Sequence, residues 1–373
     1  MKYYIIAGEA SGDLHGANLV KALKNEDKQA EIRCWGGELM QAQGATLVKH
    51  YRETAYMGLF EVVAHARTIA KNFQFCFNDI ATFAPDVVVL IDYPGFNLRV
   101  AKFAKENGIK VFYYISPKVW VWNEKRVKKI KLYVDRMFVI FPFEKDFYSK
   151  KHNYEVDYVG NPLIDAIEDK KAIIPGRNEF VTQNGLANKP IVAMLPGSRK
   201  QEISRLIPIM ASIVGSFPDY QFVIAGTTAL DESLYKKYLR GSNITILFNK
   251  TYELLSHSEA AIVASGTATL ETALFNIPQV VCYKLSNATY LGKPFFPIKY
   301  FSLVNIIMDK TVVKELLQYH LVRDITQELN LILHNMDYRN QMLGRYRELR
   351  EKCGGPGASK KAAELMVHYL QHP

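Results

Sequence analysis

Three places in this chain put residues with usable chemistry where an apolar run turns into a helical pattern. In 260–274, AAIVASGTATLETAL, the run 260–264 ends at Ser265-Gly266-Thr267, and apolar residues then recur at Leu270, Ala273 and Leu274. The pattern predicts a buried strand turning sharply into an amphipathic helix. At such a turn the unbonded N–H groups and the positive end of the helix dipole face outward, and Gly266 allows close approach, so a phosphate suits the place. Glu271, one turn on, could accept both hydroxyls of a ribose whose phosphates lie on the helix start. With Ala268 three residues before it, Glu271 is not engaged in a capping box. An acidic residue also suits a helix start with no ligand at all.

The second place is 195–203, LPGSRKQEI, where Gly197, Ser198 and Arg199 bring backbone N–H groups and a guanidinium to one helix start. Together the two turns point to a nucleotide diphosphate. No G-x-x-x-x-G-K-[ST] loop is present, which argues against a P-loop phosphotransferase. No Asp-x-Asp or clustered His set appears, so neither a metal nor a cofactor is expected.

The third place is a pair of turns near the N-terminus. Residues 2–7 read as a strand delivering Gly8-Glu9-Ala10-Ser11-Gly12-Asp13, and 85–91 as a buried strand ending in Asp92-Tyr93-Pro94-Gly95. Ala10 and Asp13 stand where a G-x-G-x-x-G fingerprint needs glycine, which weighs against a dinucleotide-dependent dehydrogenase. Ligands of doubly wound sheets sit outside the carboxyl ends of strands, so Asp92 could act as general base toward a hydroxyl. Turn formation before Pro-Gly would equally explain an Asp there. Glu9 is a candidate for binding or proton transfer, or for simple turn and cap chemistry.

The elements that must carry these residues follow from length and periodicity. At 373 residues the chain exceeds the roughly 250 at which one core stops growing, so two domains are expected. Apolar residues make up 49%, and strand and helix patterns alternate in both halves, which predicts an α/β protein. Its expected architecture is two doubly wound, Rossmann-like parallel sheets facing across a cleft. The polar stretch 169–189 is read as a linker between domains at 1–168 and 190–345, and 346–373 as terminal helices. Four dispersed cysteines fit a cytosolic protein. No apolar run reaches the roughly 18 residues of a spanning helix, so the chain reads as soluble or membrane-peripheral. The segment 56–83, with Met57, Phe60 and Phe73, either packs deeply or offers an apolar face to acyl chains or a bilayer. The net charge of +10 is concentrated partly in 124–131, which includes Lys125 and Arg126. Basic surfaces suit nucleic acid, anionic headgroups or phosphorylated substrates, and a basic helix face can also be merely solvated. The basic residues are not interleaved with an RNA-binding motif, so nucleic acid is not expected.

AGEASGDLHGA (7–17), IDYPGFN (91–97), ISPKVWVW (115–122, with Trp120), FPFEK (141–145), LPGSRKQEI, ASGTATLE (264–271), SLVN (302–305) and VKELLQ (313–318) together resemble the lipid A disaccharide synthase family of GT-B glycosyltransferases. The resemblance implies an inverting transfer from UDP-2,3-diacylglucosamine to 2,3-diacylglucosamine 1-phosphate, giving a β-1,6-linked disaccharide. It implies Asp92 as base with Glu9 near the reacting sugars. On the UDP side it implies Gly197, Ser198, Arg199, Ser265, Gly266, Thr267, Glu271 and Asn305. The acceptor lipid would meet Met57, Phe60, Phe73, Trp120, Lys125 and Arg126. It further implies a cytoplasmic enzyme, peripheral on the anionic inner membrane of a Gram-negative bacterium, whose terminal helix crosses back to the first domain or to a partner in a homodimer. Gly95 and Asn161 depart from the acidic residue and the His that many relatives carry. Another GT-B transferase with a different acceptor, or a UDP-sugar epimerase, would share the turns.

Overall fold

The computed structural model describes residues 1–53, 66–120, 123–228, 230–239, 242, 244–284 and 299–372. Runs such as VVVLI (87–91) and IVAML (191–195) are apolar at every position and wholly buried, which fits strands covered by helices on both faces. Lys2–Ala7 (β1), Glu31–Gly36 (β2), Thr46–His50 (β3), Val87–Ile91 (β4), Lys110–Tyr114 (β5), Arg136–Val139 (β6) and Asp157–Tyr158 (β7) form one parallel sheet. Its order is β3-β2-β1-β4-β5-β6-β7. Ile191–Leu195 (β8), Gln221–Gly226 (β9), Thr245–Phe248 (β10), Ser258–Ala264 (β11), Gln279–Tyr283 (β12) and Glu315–Leu317 (β13) form a second parallel sheet, ordered β10-β9-β8-β11-β12-β13.

Both sheets grow outward from their first strand and then reverse. The reversal lies between β1 and β4 in the first sheet and between β8 and β11 in the second. At such a switch point the two crossover connections leave toward opposite faces, opening a crevice at the carboxyl ends of the strands. Glu9 and Asp92 follow β1 and β4; Gly197–Arg199 and Ser265–Thr267 follow β8 and β11.

One compact unit comprises 1–166 and 353–373, the other 167–352. The last helix, Ala358–Gln371, buries Ala358, Ala362, Ala363 and Met366 in the first unit. Its start is capped by Asp165, whose carboxylate accepts the N–H groups of Gly357 and Ser359. Residues 169–189 hold the end of the Pro162–Lys171 helix and all of Arg177–Gln183, and they belong to the second unit. Phe180 draws this polar stretch inward: it is buried and lies against His257 at 4.8 Å.

Of the apolar segment 56–83, the described part is the Ala66–Phe83 helix. Cys76 and Ile80 enter the core, with Phe73 and Phe77 packed against it. Met57 and Phe60 lie outside the described residues. All four cysteines are buried, and no disulfide joins any two of them.

Candidate active site

In the first unit the chain leaves β4 through two consecutive residues with left-handed backbone, Asp92 (φ +42°) and Tyr93 (φ +47°). Such a conformation costs a non-glycine residue about 1 kcal/mol or more, so the surroundings must impose it. Buried Asn97 donates through Nδ2 to the carbonyls of Ile91 (3.1 Å) and Asp92 (2.8 Å), and the Tyr113 hydroxyl donates to the Asp92 carbonyl at 2.5 Å. The Asp92 N–H points to the carbonyls of Tyr114 and Ile115, each at 3.3 Å.

The Tyr93 ring lies so close to Gly8 that an added Cβ would stand 2.3 Å from it. Ala7 pairs with Ile91, so this approach brings Glu9 and Asp92 out of adjacent strands side by side. Burial, and then the Glu9 carboxylate, push the Asp92 carboxyl up to about 6, while Lys118 and Arg126 oppose the rise. A carboxylate so placed is ionised at neutral pH yet more basic than an ordinary one, as a general base requires. Glu9 itself accepts the Ser11 hydroxyl at 2.7 Å. Asp13 is occupied structurally, accepting the N–H groups of Gly37 (2.7 Å), Leu39 (3.1 Å) and Met40 (3.1 Å).

Around this turn, Gly95 is exposed with open space where a side chain would stand. Asn161 is buried and caps the next helix, its Oδ1 accepting the Leu163 N–H at 3.0 Å. The Trp120 indole donates to Glu144 at 3.1 Å and meets Phe143 edge-on at 4.9 Å. Lys125 and Arg126 open the Arg126–Tyr133 helix.

In the second unit Gly197 has φ +99°, and a Cβ there would stand 2.3 Å from the Glu202 carboxylate. Ser198 is exposed, and Arg199 forms the N-cap of Lys200–Ile213, with Nη1 3.5 Å from Glu202 and most of its side chain in solvent. On the neighbouring strand end Ser265 donates to the Phe301 carbonyl at 2.8 Å. Gly266 (φ +150°) has open space at its Cβ position, and Thr267 begins the Thr267–Leu274 helix. The N–H groups of this first turn can therefore be reached by an anion. Glu271 accepts the Tyr252 hydroxyl at 2.8 Å; burial raises its carboxyl above the usual range, and the Tyr252 bond opposes that rise.

Asn305 is buried, and its side chain is fully engaged. Its Oδ1 accepts the N–H groups of Val312 (2.7 Å) and Val313 (3.0 Å), and its Nδ2 donates to the Val313 carbonyl (2.8 Å) and to Glu315 (2.9 Å). Glu315 in turn accepts the N–H groups of Phe301 (2.9 Å) and Ser302 (2.8 Å) and the Ser302 hydroxyl (2.7 Å). Asn305 is thus linked to Ser265 through Glu315 and the Phe301 backbone that Glu315 holds.

The chain superposes on a UDP-GlcNAc 2-epimerase from Neisseria meningitidis with a TM-score of 0.72 and 13% identity, covering 99% of this chain and 100% of that one. It also superposes on CalG4, the calicheamicin glycosyltransferase, with a TM-score of 0.61 and 16% identity, covering 99% and 98%. At these identities the likeness is one of fold, the GT-B pair of Rossmann-like domains. A family model described as Lipid-A-disaccharide synthetase matches residues 3–366. The lipid-A-disaccharide synthases of Trichlorobacter lovleyi (37% over 376 residues) and Coxiella burnetii (38% over 373) each share 98% of this chain and 97% of their own length. The chain belongs to the lipid-A-disaccharide synthase family.

It is accordingly an enzyme, a glycosyltransferase that forms the lipid A disaccharide. Sequence reasoning did not find several partners that this synthase uses to hold its strand ends: Asn97, Tyr113, Tyr252, Ser302 and Glu315. Ser302 and Glu315 lie within SLVN and VKELLQ, but their pairing depends on β13 reaching the edge of the second sheet. Among the described residues, no three His, Cys, Asp or Glu side chains are grouped to hold a metal ion, and no helix is long and apolar enough to cross a membrane.

Proposed function

We propose that this synthase joins UDP-2,3-diacylglucosamine to 2,3-diacylglucosamine 1-phosphate with inversion at the donor anomeric carbon. The Asp92 carboxylate takes the proton of the acceptor 6-hydroxyl as that oxygen bonds to the donor C1. The bond from C1 to the UDP oxygen breaks with its electron pair leaving on UDP. Arg199 and the N–H groups at the start of Thr267–Leu274 meet the charge that grows on the diphosphate, and Glu271, oriented by Tyr252, accepts the ribose hydroxyls. Glu9 keeps Asp92 basic by like-charge repulsion, so its role is through the base.

The observation that carries this reading is the Asp92 turn. A strained backbone held by buried Asn97 and Tyr113 presents a carboxylate whose basicity is raised to about 6 at a switch point. The lipid substrates and the net charge of +10 support work at the anionic cytoplasmic face of the inner membrane.

The test uses purified protein, UDP-2,3-diacylglucosamine and radiolabelled acceptor in detergent with chelator present. A disaccharide-sized lipid formed in step with UDP is expected, because the protein's own cations and dipoles neutralise the leaving group. Failure to form it, with UDP still bound, would assign the acceptor to another class.

A further inference from the structure

The first unit carries a groove of about 1150 Å³ that the strand-end residues leave unexplained. Small-molecule pockets span roughly 300–1,000 Å³, so its size suits a bulky ligand. Three helices build it. Pro94–Glu106 contributes Gly95, Leu98, Arg99, Lys102, Phe103 and Glu106, whose three- and four-residue spacing puts them on one face. Ala66–Phe83 contributes Ile69, Phe73 and Phe77, and Phe77 stacks on Phe103 at 4.2 Å. Arg126–Tyr133 contributes Arg126 and Lys129, with Lys125 just before it. Its lining residues Pro94 and Gly95 directly follow the Asp92–Tyr93 turn.

One part of the lining is aromatic; the rest carries Arg99, Lys102, Lys125, Arg126 and Lys129 against one carboxylate, Glu106. Glu124, the acid within the basic run, is engaged elsewhere, with Lys151 at 2.8 Å and His152 at 2.9 Å. Lys102 shares Glu106 at 3.6 Å and Arg99 lies over the Phe73 ring at 5.1 Å. Lys125 and Lys129 make no ion pair among the described residues. These two lysines beside an aromatic wall match a molecule that is both phosphorylated and apolar. A free phosphate would leave the wall unused.

We propose that the groove is the acceptor's phosphate subsite, with Lys125 and Lys129 holding the phosphate monoester, Arg99 and Lys102 adding to the field, and the apolar body lying on Phe73, Phe77 and Phe103. This rests on the acceptor assignment made under Proposed function. The subsite selects phosphorylated acceptors: losing the phosphate forfeits charge-assisted contacts and leaves the lysines facing apolar ligand.

The full-length protein and its Lys125→Ala/Lys129→Ala variant are compared on 2,3-diacylglucosamine 1-phosphate and on the same sugar lacking the phosphate. Binding to phosphatidylglycerol vesicles is measured by sedimentation. The variant should lose about 10- to 100-fold in kcat/KM on the phosphorylated acceptor, mainly through KM, and less than about threefold on the other. Lys125→Arg/Lys129→Arg should recover most of the loss. Equal losses on both acceptors would overturn the subsite, as would a loss that tracks weakened vesicle binding, which would give the cations to membrane headgroups. If the unsubstituted protein binds UDP but makes no disaccharide, the acceptor assignment falls and the subsite with it. If it makes disaccharide and the variant is unimpaired, the subsite alone falls.

Discussion

Replacing Asp92 by Asn separates the proposed base from the scaffold that strains it. Moving a carboxyl from the ordinary value of 3.8 up to about 6 makes its ionised form costly in the folded protein. At 1.36 kcal/mol per pH unit the cost at pH 7 is roughly 3 kcal/mol. An amide of the same shape escapes it, and Asn also tolerates a φ of +42° more readily than most residues. Asp92→Asn should therefore abolish turnover, leave UDP affinity nearly intact, and raise stability at pH 7 by about 1–3 kcal/mol, a few degrees in Tm.

The sign is set by proton uptake. Between pH 3.8 and about 6 the folded protein binds more protons at Asp92 than the unfolded chain does, so the native wild type loses stability as pH rises through that window. The stability gap between variant and wild type should be small near pH 4, open up to pH 6 and stay constant above it. In the wild type, kcat/KM should fall about tenfold per unit below pH 6. Thermal melts from pH 4 to 8, run alongside the disaccharide assay, read both effects. A variant that melts at or below wild type at pH 7, or a gap insensitive to pH, would refute the argument that Asp92 is held as a destabilised, basic carboxylate.

The proposed donor turn and its support give two further expectations. Tyr252→Phe removes the hydroxyl that Glu271 accepts and lets that carboxyl rise further, so UDP affinity should weaken about tenfold and more steeply as pH falls; unchanged calorimetric affinity would remove the pair from donor binding. Asn305→Ala strands the N–H groups of Val312 and Val313 and should cost about 2–5 kcal/mol in denaturant unfolding, whereas lost turnover at unchanged stability would mean that Asn305 touches substrate.

The residues alone determined a good deal of this protein. Wholly apolar runs at 87–91, 191–195 and 260–264 required strands covered on both faces, and Ser265-Gly266-Thr267 required a strand-turn-helix, because hydrophobic period and glycine conformation are local properties. Local pattern also marked Asp92, Glu9 and Arg199 at strand ends and Glu271 one turn into the helix that follows another. It could not show that Asn161 is a buried cap, that Trp120 is tied to Glu144, or that the basic run divides between the groove and the Lys151–His152 side.

What the tertiary structure decided was which distant groups meet. Strand order sets β1 beside β4, so that Gly8 admits the Tyr93 ring and Glu9 adjoins Asp92, and it sets β8 beside β11, so that two anion-ready turns share one sheet edge. The acidity of a carboxylate depends on its desolvation and on charges brought from other elements. The sequence could therefore nominate Asp92, but only the packing that buries its carboxyl and sets Glu9 beside it raises its basicity, against the pull of Lys118 and Arg126.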